Sequence, residues 1–286
     1  MSIGFHYFET INGSLTLQWV DKDKTAEFLG RVIATRSAAS IIAFSFIWIL
    51  FQQFQMSYLF LYAIGGGVSV VLVLFCWRHF PLFPEKVTQT KKIILRKRYW
   101  LYYALQFMSG ARRQIFVVFA GFLMVEKFNF TVAEISLLLI ANAAINVVFA
   151  PKIGRLIQRF GERKSLIFEY VGLSLIFAGY AFVESSTFAV FLYIADHLLF
   201  SIAIALKTYF QKIADPADIA SSAGVSFTIN HIAAVFIPVL FGLVWLYSPS
   251  LVFLAGSGMA IISLLLAFNM PAKPASGNEV LLGKFS

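Results

Sequence analysis

Charged side chains are scarce in this sequence. Asp, Glu, Lys and Arg make up 13% of its 286 residues, whereas a soluble globular chain has about 25%. So few charges exclude an ordinary water-exposed surface. The single cysteine, Cys76, excludes an internal disulfide and leaves the redox compartment undetermined. The opening residues 1–14 carry no basic stretch of the kind that begins a secretory signal.

Motifs of enzyme chemistry are also missing. There is no cluster of Cys and His with metal-ligand spacing, no G-x-S-x-G elbow, and no Walker loop or G-x-G-x-x-G after a strand. The glycines at 65–67 lie in an apolar run without a following Lys-Ser/Thr, so they are not a phosphate loop. We therefore expect no enzyme activity, cofactor or bound metal, and any energy coupling would use an ion gradient.

Long hydrophobic runs are abundant instead. Hydrophobic residues make up 59% of the chain, and 32 residues are Phe. Because a bilayer requires apolar side chains on the outside of a protein too, the composition predicts an all-α, polytopic transmembrane helix bundle surrounded by lipid. The predicted helical segments are 2–19, 30–51, 56–78, 99–125, 131–157, 164–184, 187–212, 221–247 and 250–271. The last eight are long enough to span, and the first is a partial N-terminal span.

Lys and Arg are concentrated in alternate loops. The loops near 20–31, 78–98, 152–164 and 207–218 and the C-terminal tail are rich in them, whereas the intervening loops hold only Lys127. The positive-inside rule then predicts that the basic loops and the C-terminus are cytoplasmic, with the protein in the plasma (inner) membrane. This account of the net charge of +9 is favoured over a nucleic-acid partner.

A weak internal repeat relates residues 17–42 to residues 211–236 at a constant offset of 194. Asp21 aligns with Asp215, and Gly30 aligns with Gly224. Each copy is predicted to contain the end of a helix, an acidic turn and a span rich in small residues. The two acidic turns lie on the same predicted side of the membrane. Such a pair is typical of two parallel halves related by an axis along the membrane normal.

The charged stretch "GRLIQRFGERKSL" at 154–166 separates two apolar segments. It resembles the signature loop of the major facilitator superfamily, roughly G-x-L-x-D-R-x-G-R-[RK]-x-x-L. The matching residues are Gly154, Leu156, Arg159, Gly161, Arg163 and Leu166. Gln158 stands where the family has Asp, and Glu162 where it has Arg, which is typical of the degenerate copy between helices eight and nine.

The resemblance implies a twelve-helix plan of which this chain holds helices four to twelve, the C-terminal two-thirds. Residues 1–78 would be a remnant of the N-terminal half, 79–98 a cytoplasmic basic linker, 99–272 the C-terminal six-helix half and 273–286 a cytoplasmic tail. On this plan the chain is a truncated form that is not active alone. We expect a longer form or a partner chain to supply the missing helices.

Two arginines in the middle of a predicted span are the foremost candidates for substrate binding. Arg112 and Arg113 are adjacent, so their side chains point about 100° apart on a helix. One guanidinium in a central cavity could grip an anionic or carboxylate solute. Alternatively, the pair is structural and is matched by an acid such as Glu169 or Asp196, or it snorkels to the interface.

Further polar residues inside spans are candidates for the same cavity. Asp196 and His197 could form a proton relay, since a histidine titrates near neutral pH, or they could instead pair with the arginines. The remaining candidates for substrate binding or for hydrogen bonding between helices are Asn142, Asn146, Asn230 and His231.

The resemblance also implies a gating role for the loop, because in the family its Asp belongs to a charge network that holds the cytoplasmic side closed. The gating candidates are Gly154, Gln158, Arg159, Gly161, Glu162 and Arg163. Gln158 carries no charge, so we expect a weaker latch, which Glu162 restores in part if it joins Arg159 and Arg163.

Three functions remain open at this point. The first is secondary transport of a small solute by alternating access, as in a permease, and the solute is anionic if an arginine binds it. The second is a non-transporting scaffold or receptor that docks a partner on the basic linker. The third is a membrane enzyme that uses Asp196 and His197, although no other catalytic motif accompanies this pair.

Overall fold

The computed structural model describes residues 2–54, 56–84 and 86–284. These ranges hold helices and no strand, which confirms the predicted all-α bundle. The helices are α1 (Ser2–Trp19), α2 (Thr25–Phe54), α3 (Tyr58–His79), α4 (Trp100–Gln114), α5 (Gly121–Phe128), α6 (Val132–Phe160), α7 (Glu162–Ala181), α8 (Ser186–Phe200), α9 (Ile204–Ile213), α10 (Ile219–Tyr247) and α11 (Pro249–Phe268).

Two of the predicted spans are built from several pieces. A π-helical turn, Ile115–Ala120, joins α4 to α5, and a 3-10 turn, Ser201–Ala203, joins α8 to α9. Each junction keeps the chain running in one direction, so that Lys97–Phe128 and Ser186–Ile213 are continuous rods. Among the described residues, seven helical rods are long and apolar enough to cross a membrane.

The eighth predicted span is α7, which falls outside that group of seven. It has 20 residues, which at 1.5 Å per residue covers about 30 Å. Its first turn, however, carries Glu162, Arg163 and Lys164, and Glu169 follows within the helix. Length therefore supports the prediction of eight full spans, whereas the charges at one end separate α7 from the other seven.

Apolar side chains face outwards over much of the bundle, as a lipid-exposed protein requires. Helix α3 has no buried residue, although Phe75 and Trp77 are among its large side chains. In water such a surface would aggregate. In a bilayer it meets hydrocarbon, so the exposure agrees with an integral membrane protein.

The basic loops gather at one end of the bundle, here called the basic end. Contacts between them show this directly: Lys22 Nζ lies 3.5 Å from the carbonyl oxygen of Lys212, and Lys212 Nζ lies 2.6 Å from Glu162 Oε1. At the opposite end, Lys127 donates to the Val183 carbonyl at 2.6 Å and pairs with Glu184 at 2.8 Å. The predicted alternation of loops between two ends is therefore present in the fold.

Helices α2 and α6 cross at close range near the basic end. A Cβ atom on Gly30 would collide with the carbonyl oxygen of Ala150, and one on Gly154 would collide with the carbonyl oxygen of Ala26. Each helix thus contributes one glycine that admits the backbone of the other. This crossing joins α1–α3, here called the first half, to α4–α11, here called the second half.

The internal repeat is visible in the local hydrogen bonds. Asp21 accepts from the backbone N–H of Lys24 at 2.9 Å, and Asp215 accepts from that of Asp218 at 2.9 Å, so the two turns match at the offset of 194. Gln211 Nε2 donates to the carbonyl of Leu17, its own counterpart in the repeat, at 2.9 Å. Counterparts that touch each other lie on the axis relating the two copies.

The buried apolar side chains form two cores, one above the other. The core near the basic end combines Leu17, Ala26 and Leu29 of the first half with residues of the second half such as Tyr209 and Phe210. The core towards the opposite end contains only residues from Ala111 onwards. Packing between the halves therefore involves the first core and not the second.

Candidate functional site

The two candidate arginines point into different surroundings. Arg112 is 2% exposed, and its guanidinium lies over the ring of Tyr170 at 4.4 Å, a cation–π contact inside the second half. Arg113 is exposed and lies 5.8 Å from the ring of Phe200. The next residues, Ile115–Ala120, form the π-helical turn, a distortion that is frequent at functional sites.

Arg113 belongs to a charged group, here called the central group, that both halves supply. Arg36 of α2 pairs with Glu9 of α1 at 2.9 Å. Lys207 of α9 interacts electrostatically with Glu9, Arg36 and Arg113. Lys207 and Arg113 are exposed, although both lie within helical rods long enough to cross a membrane. The central group therefore links α1, α2, α4 and α9 where the two halves meet.

A hydrogen-bonded set adjoins the central group. Asn146 Nδ2 lies 3.0 Å from His197 Nε2, and Ser201 Oγ donates to Asn146 Oδ1 at 3.1 Å. His197 also interacts electrostatically with Arg113. The structure thus brings two predicted residues, Asn146 and His197, next to Arg113, and it adds Ser201 from the 3-10 turn.

Two histidines meet across the halves. The ring of His6 on α1 lies 4.6 Å from that of His231 on α10, and His231 stacks on Phe227 at 3.9 Å. The neighbouring Asn230 packs against Gly110, where α4 crosses α10. Asn230 is the repeat counterpart of Arg36, so these two polar residues lie at equivalent positions of the two copies.

Asp196 does not share the surroundings of His197. It is 1% exposed and interacts electrostatically with Arg112 and with Glu169, which is 0% exposed. These three residues, here called the core triad, lie inside the second half on α4, α7 and α8. Asn142, one turn from Asn146, is also buried, and neither of its amide atoms has a hydrogen-bond partner among the described residues.

The loop between α6 and α7 is a single residue, Gly161. Gly161 ends α6 at φ +84°, a conformation that L side chains rarely adopt. Arg163 donates to the carbonyl of Phe268 at 3.0 Å, which ties the loop to the end of α11. The gating candidates Gly154 and Gly161 thus have backbone roles, one in the α2 crossing and one in the turn.

The acid of this loop has a different partner from the expected one. Glu162 is 3% exposed and pairs with Lys212 of α9 at 2.6 Å, rather than with Arg159 or Arg163. Arg159 is exposed and lies 5.7 Å from the ring of Phe160. The side chain of Gln158 is exposed and makes no hydrogen bond within the described chain. The charge network at this end therefore runs between helices rather than within the loop.

Side chains of α9 close the basic end between the two halves. Gln211, 2% exposed, donates to the carbonyls of Leu17 and Val20 at 2.9 and 2.8 Å. These are among the last carbonyls of α1, which have no partner within their own helix. A buried amide therefore holds the end of the first half against the second half.

The basic linker is bound along the start of α10. Arg96 forms a bidentate pair with Asp218 at 2.8 and 3.0 Å, and the carboxylate raises the pKa of Arg96 above its usual value. Thr90 N–H donates to the Ala217 carbonyl at 2.8 Å, and Ser221 donates to the Lys92 carbonyl at 2.8 Å. Part of the linker is thus engaged by its own chain.

Sequence reasoning missed several members of the central group. The sequence predicts Lys207 in a basic loop, although α9 continues to Ile213, and it predicts that Arg36 anchors α2 at the cytoplasmic interface. Glu9 and His6 lie in a segment whose polarity indicated only a partial span. What could have identified these residues is that each is an ionisable side chain within a helix. In a bilayer such a side chain is itself a reason to suspect function.

The comparisons with known proteins give a family for the chain. A sequence model described as Major Facilitator Superfamily matches residues 1–195 and residues 102–283. Together these overlapping ranges cover nearly the whole chain. No curated protein matches it.

Proposed function

The chain belongs to the major facilitator superfamily of membrane transporters, and from that premise we propose that it carries a small anionic solute by alternating access. The observation that carries the proposal is the central group. Arg36, Arg113 and Lys207 contribute three positive charges against the single carboxylate of Glu9. An excess of cations between the two halves is favourable for a carboxylate or phosphate group.

Both halves contribute to this site, which suits a rocking mechanism. Arg36 and Glu9 come from α2 and α1, whereas Arg113 and Lys207 come from α4 and α9. A solute held by both sets of side chains binds best when the halves are close, and it is released when they separate. Binding energy is thereby linked to the relative position of the halves.

Asn146, His197 and Asn230 are proposed as neutral members of the same site. Asn146 and His197 adjoin Arg113, and Asn230 matches Arg36 in the repeat. Hydrogen-bonding groups beside the cations would orient the solute and distinguish it from a simple inorganic anion.

Orientation and conformational state form the next part of the proposal. The positive-inside rule places the basic end in the cytoplasm, and with it the C-terminus. Gln211, through the Leu17 carbonyl, and Lys22, through the Lys212 carbonyl, join the two halves at this end, and we propose that these contacts hold it closed. We therefore assign the described conformation to a carrier whose site is shut towards the cytoplasm, in the plasma (inner) membrane.

The exposure of α3 supports the last element of the proposal, which concerns the helices of the first half. No residue of α3 is buried by the described chain. We propose that helices of a longer form or of a partner chain cover it and complete the first half. The scaffold alternative gains no support from the linker, since its Arg96 and backbone groups are engaged by residues 216–221.

Uptake by proteoliposomes that contain the longer form, or the chain together with its partner helices, tests the anionic-solute proposal. We expect a panel of labelled carboxylates and inorganic phosphate to include a substrate, and Arg113→Gln or Lys207→Gln to lower its uptake about tenfold or more. A charge-assisted hydrogen bond contributes about 1.5–3 kcal/mol, and about 1.4 kcal/mol corresponds to a factor of ten.

The matched control is Lys152→Gln, which removes an exposed cation of α6 outside the central group. It should insert normally and leave uptake unchanged. Unchanged uptake in both Arg113→Gln and Lys207→Gln, or a preference for cationic solutes, would overturn the proposal.

A further inference from the structure

The core triad of Arg112, Glu169 and Asp196 is not used by the proposed transport site. Its members are 2%, 0% and 1% exposed, so all three are sealed inside the second half. Arg112 turns away from Arg113, towards Tyr170. Three ionisable groups in so dry a place require an explanation of their charge state.

The triad is under-satisfied in hydrogen bonds. Both carboxylate oxygens of Glu169, Oδ1 of Asp196 and Nη1 of Arg112 are buried without a hydrogen-bond partner in the described ranges. None of the ion pairs within 4.0 Å that these ranges contain includes a member of the triad. Electrostatic interactions nevertheless link Arg112 to both acids and the acids to each other.

Charge balance then decides the protonation state. A guanidinium stays protonated and can compensate one carboxylate only. A second ionised carboxylate would be an uncompensated charge in a low-dielectric interior, and it would repel the first. One proton on the acid pair removes both penalties and leaves the triad neutral.

We propose that the core triad is a proton-binding site, in which Glu169 and Asp196 share one exchangeable proton beside Arg112. The proton comes from water at the end opposite to the basic end, and it returns there. This site is separate from the central group, which differs in its exposure and in the helices that form it.

On this proposal the proton enters past Tyr180, near the end opposite to the basic end. Tyr180 is 2% exposed, its hydroxyl has no hydrogen-bond partner within the described chain, and it lines a pocket of about 380 Å³ with Leu123 and Trp245. Tyr180 interacts electrostatically with Asp196, as does Tyr193. Tyr180 lies eleven residues, about three turns, from Glu169, so the two share a helix face.

The groups that face the acid pair are few. They are Arg112 from α4, Tyr170 and Tyr180 from α7, and Tyr193 from α8. Helix α11, which packs along α7, contains no titratable residue. The charge of the site is thus set by Arg112 and the two acids alone.

Infrared spectroscopy of the full chain in lipid nanodiscs tests the site without requiring transport. A protonated carboxyl gives a C=O stretching band that an ionised carboxylate lacks. We expect the wild-type chain at neutral pH to show one buried carboxyl band that shifts in D₂O. Glu169→Gln and Asp196→Asn should each abolish the band, because the remaining acid is then ionised opposite Arg112.

Removal of the Arg112 guanidinium should strengthen the carboxyl band instead of abolishing it. Arg112→Gln should about double the band, since neither acid then has a counter-charge, whereas Arg112→Lys should keep it. Glu126→Gln, which changes an acid at the pocket rim, is the matched control and should leave it unchanged. Tyr180→Phe should keep the band but slow its exchange in D₂O.

The outcomes are decisive whether or not every variant inserts. Absence of the band in the wild-type chain would overturn the proposal, because both acids would then be ionised. A band that survives at half strength in either single variant would also overturn it, because two independent neutral acids would be present. The further step, that this proton drives solute movement, rests on the proposed function, and the infrared result stands or falls independently of it.

Discussion

Neighbouring residues in this protein have opposite environments, and Arg112 and Arg113 show this best. Their angular separation on a helix predicts that they diverge. Which of them is buried could not be predicted, because it depends on Tyr170 and Glu169 of α7, more than fifty positions away in the chain. Asp196 and His197 diverge in the same way, so the predicted relay pair is divided between the core triad and the central group.

The Glu162–Lys212 pair gives a prediction at the residue scale. Glu162 is nearly buried and Lys212 is partly exposed, with N and O atoms 2.6 Å apart. Glu162→Gln should lower the free energy of unfolding by about 1–3 kcal/mol, between the values for exposed and buried pairs. A double-mutant cycle with Lys212→Gln, followed by thermal unfolding in detergent, measures the coupling; additive effects would show that the pair contributes nothing.

Helix positions follow from the hydrophobic pattern, but helix irregularities do not. The nine predicted segments all correspond to helical rods, with ends that differ by a few residues, as where α2 begins at Thr25 instead of 30. The π-helical turn Ile115–Ala120 and the 3-10 turn Ser201–Ala203 were not predicted. Both depend on backbone hydrogen bonds, which apolar periodicity does not encode. Each turn begins close after a candidate residue, at Ile115 after Arg113 and at Ser201 after His197.

The α2–α6 crossing gives a prediction at the scale of elements. A methyl group on Gly30 would collide with the backbone of Ala150, whereas one on Gly224, its repeat counterpart, meets no atom within 4 Å. Gly30→Ala should therefore lower the free energy of unfolding by about 1–3 kcal/mol. Gly224→Ala should be neutral or stabilising by about 1 kcal/mol at most.

Thermal unfolding of both variants in the same detergent makes the comparison, because the two substitutions share chemistry and repeat position. Equal melting temperatures for the two variants would mean that the helices do not depend on the glycine at this crossing.

At the scale of the whole molecule, the two halves are joined at the basic end. The sequence predicted two halves, through the repeat and the signature loop, and the family match shows the superfamily. It could not predict that Lys207, Arg36 and Glu9 converge, since this depends on how the halves pack. The hydrophobic pattern fixes which face of each helix is apolar, whereas the pairing of faces is a property of the assembled bundle.

Closure of the basic end can be tested by cross-linking. In a Cys76→Ser background, Leu17→Cys together with Gln211→Cys places thiols where the Gln211 amide reaches the Leu17 carbonyl at 2.9 Å. A short bifunctional reagent should join the two thiols. Uptake of any substrate that the proteoliposome assay identifies should then stop, because the halves can no longer separate there. A cleavable reagent should restore uptake on reduction; full-rate uptake by the cross-linked protein would contradict alternating access.

The contact between Gln211 and Leu17 has an evolutionary consequence. If the repeat arose by duplication, these positions once held the same residue, facing its own copy across the axis. Divergence has left an amide donor on one copy and backbone acceptors on the other. A pair of copies with Leu at both positions would lack the amide donor. The two copies have thereby become complementary rather than interchangeable.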